Sequence, residues 1–401
     1  MNPGNPILGY TKCFAEQHNF WRSKEPRANR EKWETMPLHD LPVKEIRRLY
    51  NRNHPLRYAD YAARLDTPDW QILLPLKSEG ANLLLPELQG LRELASALKV
   101  RFRVEIAERR FEDALATAKT MLALSRHLGE HPTLIGDLVG TAVGYITLGT
   151  LDEMLQQPGC PNLFWALTDL PQPFIGLRKG MQGVRAMIVS EFASIDDRGT
   201  MSAAQLQKAV KRLDLLMKSF NLKRDVADWL NNMARDENRV DAARKRIIVS
   251  GLTPDKVHAF PARQVILLDE KLEYEVRRDN EMKGMALPYW QAKPYFRTGK
   301  HPKEERENTL FADLTPSCSR AKQAQARLDQ RIALLRCVEA LRMYANEHNG
   351  KLPAKLEDIR LPLPVDPATG KPFTYKVDGK TAHLHGAPLG IQVRYEVTIG
   401  K

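Results

Sequence analysis

Cysteine is scarce in this 401-residue chain. Its four cysteines, Cys13, Cys160, Cys318 and Cys337, stand far apart. That spacing excludes a CxxC redox or metal motif. Four cysteines in so long a chain do not make a disulfide framework, so free thiols are the expectation. The opening, "MNPGNPILGYTKCFAEQHNFW", lacks a charged stretch leading into an apolar core, and so is not a signal peptide as written. Taken literally the chain reads as cytoplasmic, and a place in the cell envelope requires a start further upstream. No glycine-rich phosphate loop, nucleophile elbow or acid pair at a motif spacing occurs, which removes the enzyme classes those patterns mark. Long apolar runs are also missing, with one near exception. From Thr133 to Leu151 the only charge is Asp137. The run is barely long enough to span a bilayer and has no basic flank at its start, so no transmembrane segment is predicted.

The composition that remains is 43% hydrophobic and 27% charged, with a net charge of +12. This is ordinary globular chemistry, in a chain long enough for two or three domains. The positive charge is dispersed through "KEIRRLYNRNHPLRY", "KAVKRLDLLMKSFNLKR", "ARKRII" and "KHPKEER", each with acids or apolar helical positions nearby. No nucleic-acid recognition motif accompanies these runs, and they read as solvated faces.

Residues 1–55 read as an irregular arm carrying one or two short helices. An all-helical region over 56–285 follows. From Pro86, Leu91, Ala95, Leu98, Phe102 and Ile106 form one helical stripe. Phe111, Ala114, Leu115, Ala118, Met121 and Leu122 form a second. It ends at "HLGEHP", where Gly129 suits a left-handed helix end and Pro132 blocks continuation. Next, Gly136, Gly140 and Gly144 recur every fourth residue. Glycine costs a helix roughly 1 kcal/mol relative to alanine, so three on one stripe imply close approach of another backbone. Ser202 and Gln205 predict a capping box. Val265, Leu268, Leu272 and Val276 form the stripe of a later helix that stops at Gly284. On it Asp269, Glu270, Glu273, Glu275, Asp279 and Glu281 read as a solvated charged face. A Pro-rich connector with Tyr289, Trp290, Tyr295 and Phe296 occupies 286–318. The last region, 319–401, carries a long helix with Leu334, Val338, Leu341 and Ala345 inward. A hairpin about Asp378-Gly379 follows, then a strand with Ile391, Val393, Tyr395, Val397 and Ile399 on one face. The fold class is therefore mainly α: an irregular, solenoid-like array of helices, then a small α+β domain with a three-stranded antiparallel sheet.

"ALRMYANEHNGKLPAKLEDI" and "VDPATGKPFTYKV", within Leu334 to His385, resemble the globular part of type II secretion major pseudopilins. The turn of Asp366, Pro367, Gly370 and Pro372 is the most specific part of the likeness. The resemblance implies a small α+β module and a setting at the cell envelope. Filament assembly and calcium binding are not implied, because the preceding "SRAKQAQARLDQR" could not enter a bilayer and "HGAPLG" replaces the acidic loop. Residues 86–131 resemble a tetratricopeptide-type helix pair through Phe111, Ala114 and Ala118, with Arg109 where such pairs carry a turn glycine. No second copy occurs at a repeat period. The combined layout is similar to bacterial families in which an all-helical region precedes a pseudopilin-like tail.

One motif carries candidate chemistry. "HLGEH" matches the inverted zinc-peptidase pattern, with His127 and His131 as metal ligands and Glu130 as the catalytic base. Gly129 and Pro132 argue that the helix ends inside the motif, and a helix terminus whose histidines complement the dipole is the competing account. His383 and His385 share a strand face, which fits a solvent face with Ala382 and Leu384 inward. The leading expectation is a non-enzymatic scaffold that acts through another protein and has no cofactor. The alternatives are a zinc-dependent hydrolase built on His127, Glu130 and His131, and a basic nucleic-acid-binding protein.

Overall fold

The computed structural model describes residues 2–15, 20–21, 23–50, 55–80, 83–296, 308–314 and 318–399. The expected basic run "KHPKEER" lies outside them. The described residues form seventeen α-helices and one three-stranded antiparallel sheet, so the chain is mainly α with a small C-terminal α+β region. Five short helices come first: α1 (Pro6–Ala15), α2 (Lys24–Thr35), α3 (Val43–Leu49), α4 (Leu56–Ala62) and α5 (Leu73–Glu79). Three long ones follow: α6 (Pro86–Ala107), α7 (Phe111–Leu128) and α8 (Leu134–Leu155). These long helices bury the stripes read from the sequence. Leu91, Ala95, Leu98, Phe102 and Ile106 of α6, and Ala114, Ala118 and Met121 of α7, enter one core with Tyr10 and Cys13 of α1.

The α6–α7 turn passes through Arg109, whose φ is +57°. Its exposed side chain gains nothing from that conformation, which glycine adopts without strain. Arg109→Gly is therefore expected to stabilise the protein by about 0.5–1 kcal/mol after the glycine's larger chain entropy is deducted. Thermal denaturation measures the shift, and a lowered midpoint would refute this account of the turn.

Helix α8 packs on α7 through its glycines. A Cβ on Gly140 would lie 2.7 Å from the Ser125 carbonyl oxygen and 3.0 Å from Gly129 N. The Ser125 hydroxyl donates to the Gly140 carbonyl at 2.7 Å, which the same closeness permits. Gly129 itself is not left-handed, as the sequence suggested. Its φ is −68°, and it is glycine because a Cβ would lie 2.9 Å from Ile175. By length and composition α8 alone among the described helices could cross a membrane, and 56% of its most apolar window is buried in the protein.

A second core gathers α10 (Arg178–Phe192), α11 (Ala203–Ser219), α12 (Val226–Arg235), α13 (Glu237–Val249), α14 (Pro254–His258) and α15 (Ala262–Ala286), and α9 (Phe164–Thr168) precedes it. Ser202 and Gln205 form the expected capping box on α11. The acids of α15 are not all a solvated face. Asp269 is buried and accepts from Arg246 Nε at 2.8 Å and Nη2 at 2.6 Å. Glu270 is buried too, accepting from Arg239 and from Leu310 N. The apolar stripe departs from the reading as well: Val276 is exposed, and Tyr274 and Arg278 are the buried residues. The period was right for the first half of α15, but packing against α13 and residues 310–314 turns its buried face.

Of the connector, the residues to Phe296, with α16 (Tyr289–Ala292), and residues 308–314 are described. Phe296 and Tyr295 crowd Gly284, and Trp290 lies against Gly370 in the Asp366–Gly370 turn. Helix α17 (Cys318–Glu347) then joins two cores. Leu328, Ile332 and Leu335 belong to the first, and Leu334, Val338 and Leu341 pack on the sheet. Its first half is polar because its side chains bond neighbouring backbone. Lys322 donates to the Met285 carbonyl and Gln325 to that of Ile175, while Asp329 accepts from Phe174 N.

The sheet runs β1 (Thr374–Asp378), β2 (Thr381–His385) and β3 (Arg394–Thr398) in order. Gly379 at φ +58° and Lys380 form the two-residue turn, one place later than the expected Asp378-Gly379. The third strand is shorter than its alternation suggested, and Ile391 is exposed because the chain is still reversing there.

Candidate functional site

Helix α7 ends at Leu128, inside the H-x-x-E-H pattern, and the three residues go separate ways. His127 is buried, and its Nδ1 shares a 2.8 Å hydrogen bond with the Tyr10 hydroxyl. The ring also bonds the Leu65 backbone, and burial lowers its pKa to about 4. The Tyr10 bond thus ties α1 to the end of α7. His131 bonds Thr133 Oγ1 at 2.8 Å and packs edge-on against Trp70. Burial lowers its pKa to about 4 as well. Glu130 faces outward and pairs with Lys179 of α10 at 2.5 Å. The structure therefore does not present His127, Glu130 and His131 to a common point. No group of three or more His, Cys, Asp or Glu suited to a metal occurs among the described residues.

On β2, His383 lies 3.6 Å from Glu396 and His385 bonds Gln392. Ala382 and Leu384 point into the core, as the alternation predicted.

A groove of about 1260 Å³ lies where the sheet meets the helices. Its first wall is the end of α8 and the following turn, from Asp152 to Gly159. Its floor is one face of α17, from Leu335 to Asn346, where Leu335, Val338 and Ala345 are buried, and its second wall is the run of consecutive residues Tyr395 to Ile399. An ion pair and a hydrogen bond tie the walls together. Asp152 accepts from Arg331 at 2.5 Å and from the Tyr395 hydroxyl at 3.1 Å, which ties α8 to α17 and β3. Burial raises the Asp152 carboxyl and the Tyr395 phenol above their ordinary pKa values. Below them Glu339 is fully buried. It accepts from Leu163 N at 2.5 Å and from Arg342 at 2.6 Å, and Arg342 also donates to the Cys160 carbonyl. Burial shifts Glu339 upward, opposed by those donors.

Asp152 and Arg342 are thus engaged by other groups of the protein. They offer no nucleophile beside a base. Lys351 and Lys380 line the groove without an ion-pair partner among the described residues. Sequence reasoning did not find Asp152, Glu339 or Arg342, and it read Tyr395 only as part of a strand face. A signal existed for Glu339: on a helix with Val338 and Leu341 inward, "CVEALRM" leaves it no solvated face.

Comparison of the chain with protein-family models, with curated proteins and with solved structures finds no match.

Proposed function

We propose that the protein is a non-enzymatic scaffold that holds a segment of another protein in the groove between its helical body and its C-terminal sheet. The observation that carries this reading is the groove itself. It is wide and partly apolar at Leu155, Val338 and Val397, and its Asp152 and Arg342 are committed to structure, while Lys351 and Lys380 have no ion-pair partner among the described residues. Concave, partly apolar sites of this kind are where proteins bind their ligands. The pseudopilin-like motifs of the tail support a setting at the cell envelope.

Site-specific photo-crosslinking tests the proposal. Benzoylphenylalanine at Asn346, in the groove, should trap a discrete partner in cells that make the protein. The same group at Val249, exposed on α13, should trap none. Equal or absent crosslinking at the two positions would refute the groove as the partner site.

A further inference from the structure

We infer that the groove takes its partner as an added β-strand: an extended, acidic segment that pairs with the free edge of β3. This rests on the scaffold reading above and names the form and charge of the partner. The two-residue turn makes Asp378 and Thr381 the closing pair of the β1–β2 hairpin. Such a pair exchanges hydrogen bonds, so the N–H and C=O of Thr381 face β1. Thr381 lies opposite Thr398 on β3. That second pair is therefore of the non-bonded type, in which side chains approach closely. The two threonine hydroxyls, 3.0 Å apart, match this.

Alternation then fixes the rest of the strand. Tyr395 and Val397 bond β2. Arg394, Glu396 and Thr398 turn their backbone N–H and C=O groups away from the sheet. No backbone partner meets them among the described residues. Glu396 carries its side chain to His383 on the outer face of the sheet, so it is backbone that it gives to the groove. Consecutive residues of β3 line the groove together with Val377 of β1, so the groove takes in the free edge of β3 as well as the packed face of the sheet.

An extended segment satisfies such an edge, and recognition by strand addition uses this geometry, with a strand on one side of the groove and a helix on the other. Five residues of β3 span about 17 Å, so five or six partner residues would fit. Charge selects among them. Asp152 is neutralised by Arg331, Arg342 by Glu339, and Glu396 is turned away. The groove's surplus is Lys351 and Lys380, which favours carboxylates on the added strand.

The probe is a fluorescein-labelled octapeptide of alternating valine and threonine with a glutamate near each end, followed by fluorescence anisotropy with the full chain. Saturable binding is expected. Glu396→Pro should weaken it at least tenfold, because proline removes an outward N–H while the bonds of Tyr395 and Val397 to β2 remain. Methylating alternate peptide amides should weaken it similarly. The charge-reversed pair Lys351→Glu/Lys380→Glu leaves the edge intact and should transfer preference to a lysine version of the peptide. That variant decides the question if circular dichroism shows Glu396→Pro misfolded. Absence of binding by the wild-type chain overturns strand addition, as does binding indifferent to both variants. If crosslinking at Asn346 persists unchanged in a folded Glu396→Pro protein, strand addition falls and the groove remains the partner site.

Discussion

Asp137→Asn is expected to stabilise the protein at pH 7 by about 2–4 kcal/mol. Asp137 is fully buried in the first turns of α8, and neither carboxylate oxygen has a hydrogen-bond partner. Burial raises its pKa from 3.8 to about 9, with Glu130 adding repulsion. The folded protein therefore holds the neutral acid at pH 7, while the unfolded chain releases the proton. For an acid shifted upward, stability is complete below the unfolded pKa. It is lost as pH rises from about 4 to about 9, at roughly 1.4 kcal/mol per unit. Three units separate 3.8 from neutrality, which puts the cost at pH 7 at about 4 kcal/mol. Asparagine removes the titration and keeps the shape, although its amide brings one more unsatisfied donor than the acid, hence the lower end of the range. Denaturant midpoints of the two proteins at several pH values measure the difference directly. The difference isolates Asp137 from other buried groups such as His127 and Glu105. A gap that stays constant from pH 4 to pH 9 would show that Asp137 titrates normally in the fold.

Asp137 also marks what a single sequence can and cannot express. Its position was visible as the only charge in an apolar helix, and the four-residue glycine period correctly called for a close neighbour. Both signals are local, carried by helical periodicity along α8. The same holds for the stripes of α6 and α7 and for the Ser202–Gln205 cap. The groove was not legible, because Asp152, Arg342 and Tyr395 come from three elements far apart in the chain. The fate of the H-x-x-E-H motif was only half legible. Glycine and proline showed that the helix would end there, but the partner that takes His127 is Tyr10, 117 positions away. On α15 periodicity misled, since Asp269 and Glu270 look solvated until Arg246 and Arg239 arrive from α13. Polar residues buried through distant partners leave the same pattern in sequence as polar residues in water.

Gly183→Ala is the substitution expected to cost most for its size, about 3 kcal/mol or more. Helix α10 crosses the α7–α8 turn at Gly180 and Gly183, a spacing in "LRKGMQGVRAM" that puts both on one face. A Cβ at Gly183 would stand 1.8 Å from the Pro132 carbonyl oxygen and 2.8 Å from its carbon. These are backbone atoms on a proline, which no rotamer change can move aside. The roughly 1 kcal/mol that alanine contributes to helix propensity does not offset a displacement of α10 by an ångström or more. Gly144→Ala is the control, for its Cβ would meet only side-chain atoms, Leu328 at 3.0 Å and the Ser125 hydroxyl at 3.2 Å, and it should lie within about 1 kcal/mol of wild type. Equal midpoints for the Gly183 variant and wild type would refute the crossing. The crossing also connects this result to Asp137. Gly180 leaves room for the Asp137 carboxyl, since a Cβ there would sit 2.1 Å from Oδ2. Pushing α10 outward at Gly183 should let water reach that carboxyl. The stability difference between Asp137→Asn and its parent should then lose most of its pH slope in the Gly183→Ala background. A slope that survives would mean that burial beneath α10 is not what keeps Asp137 protonated.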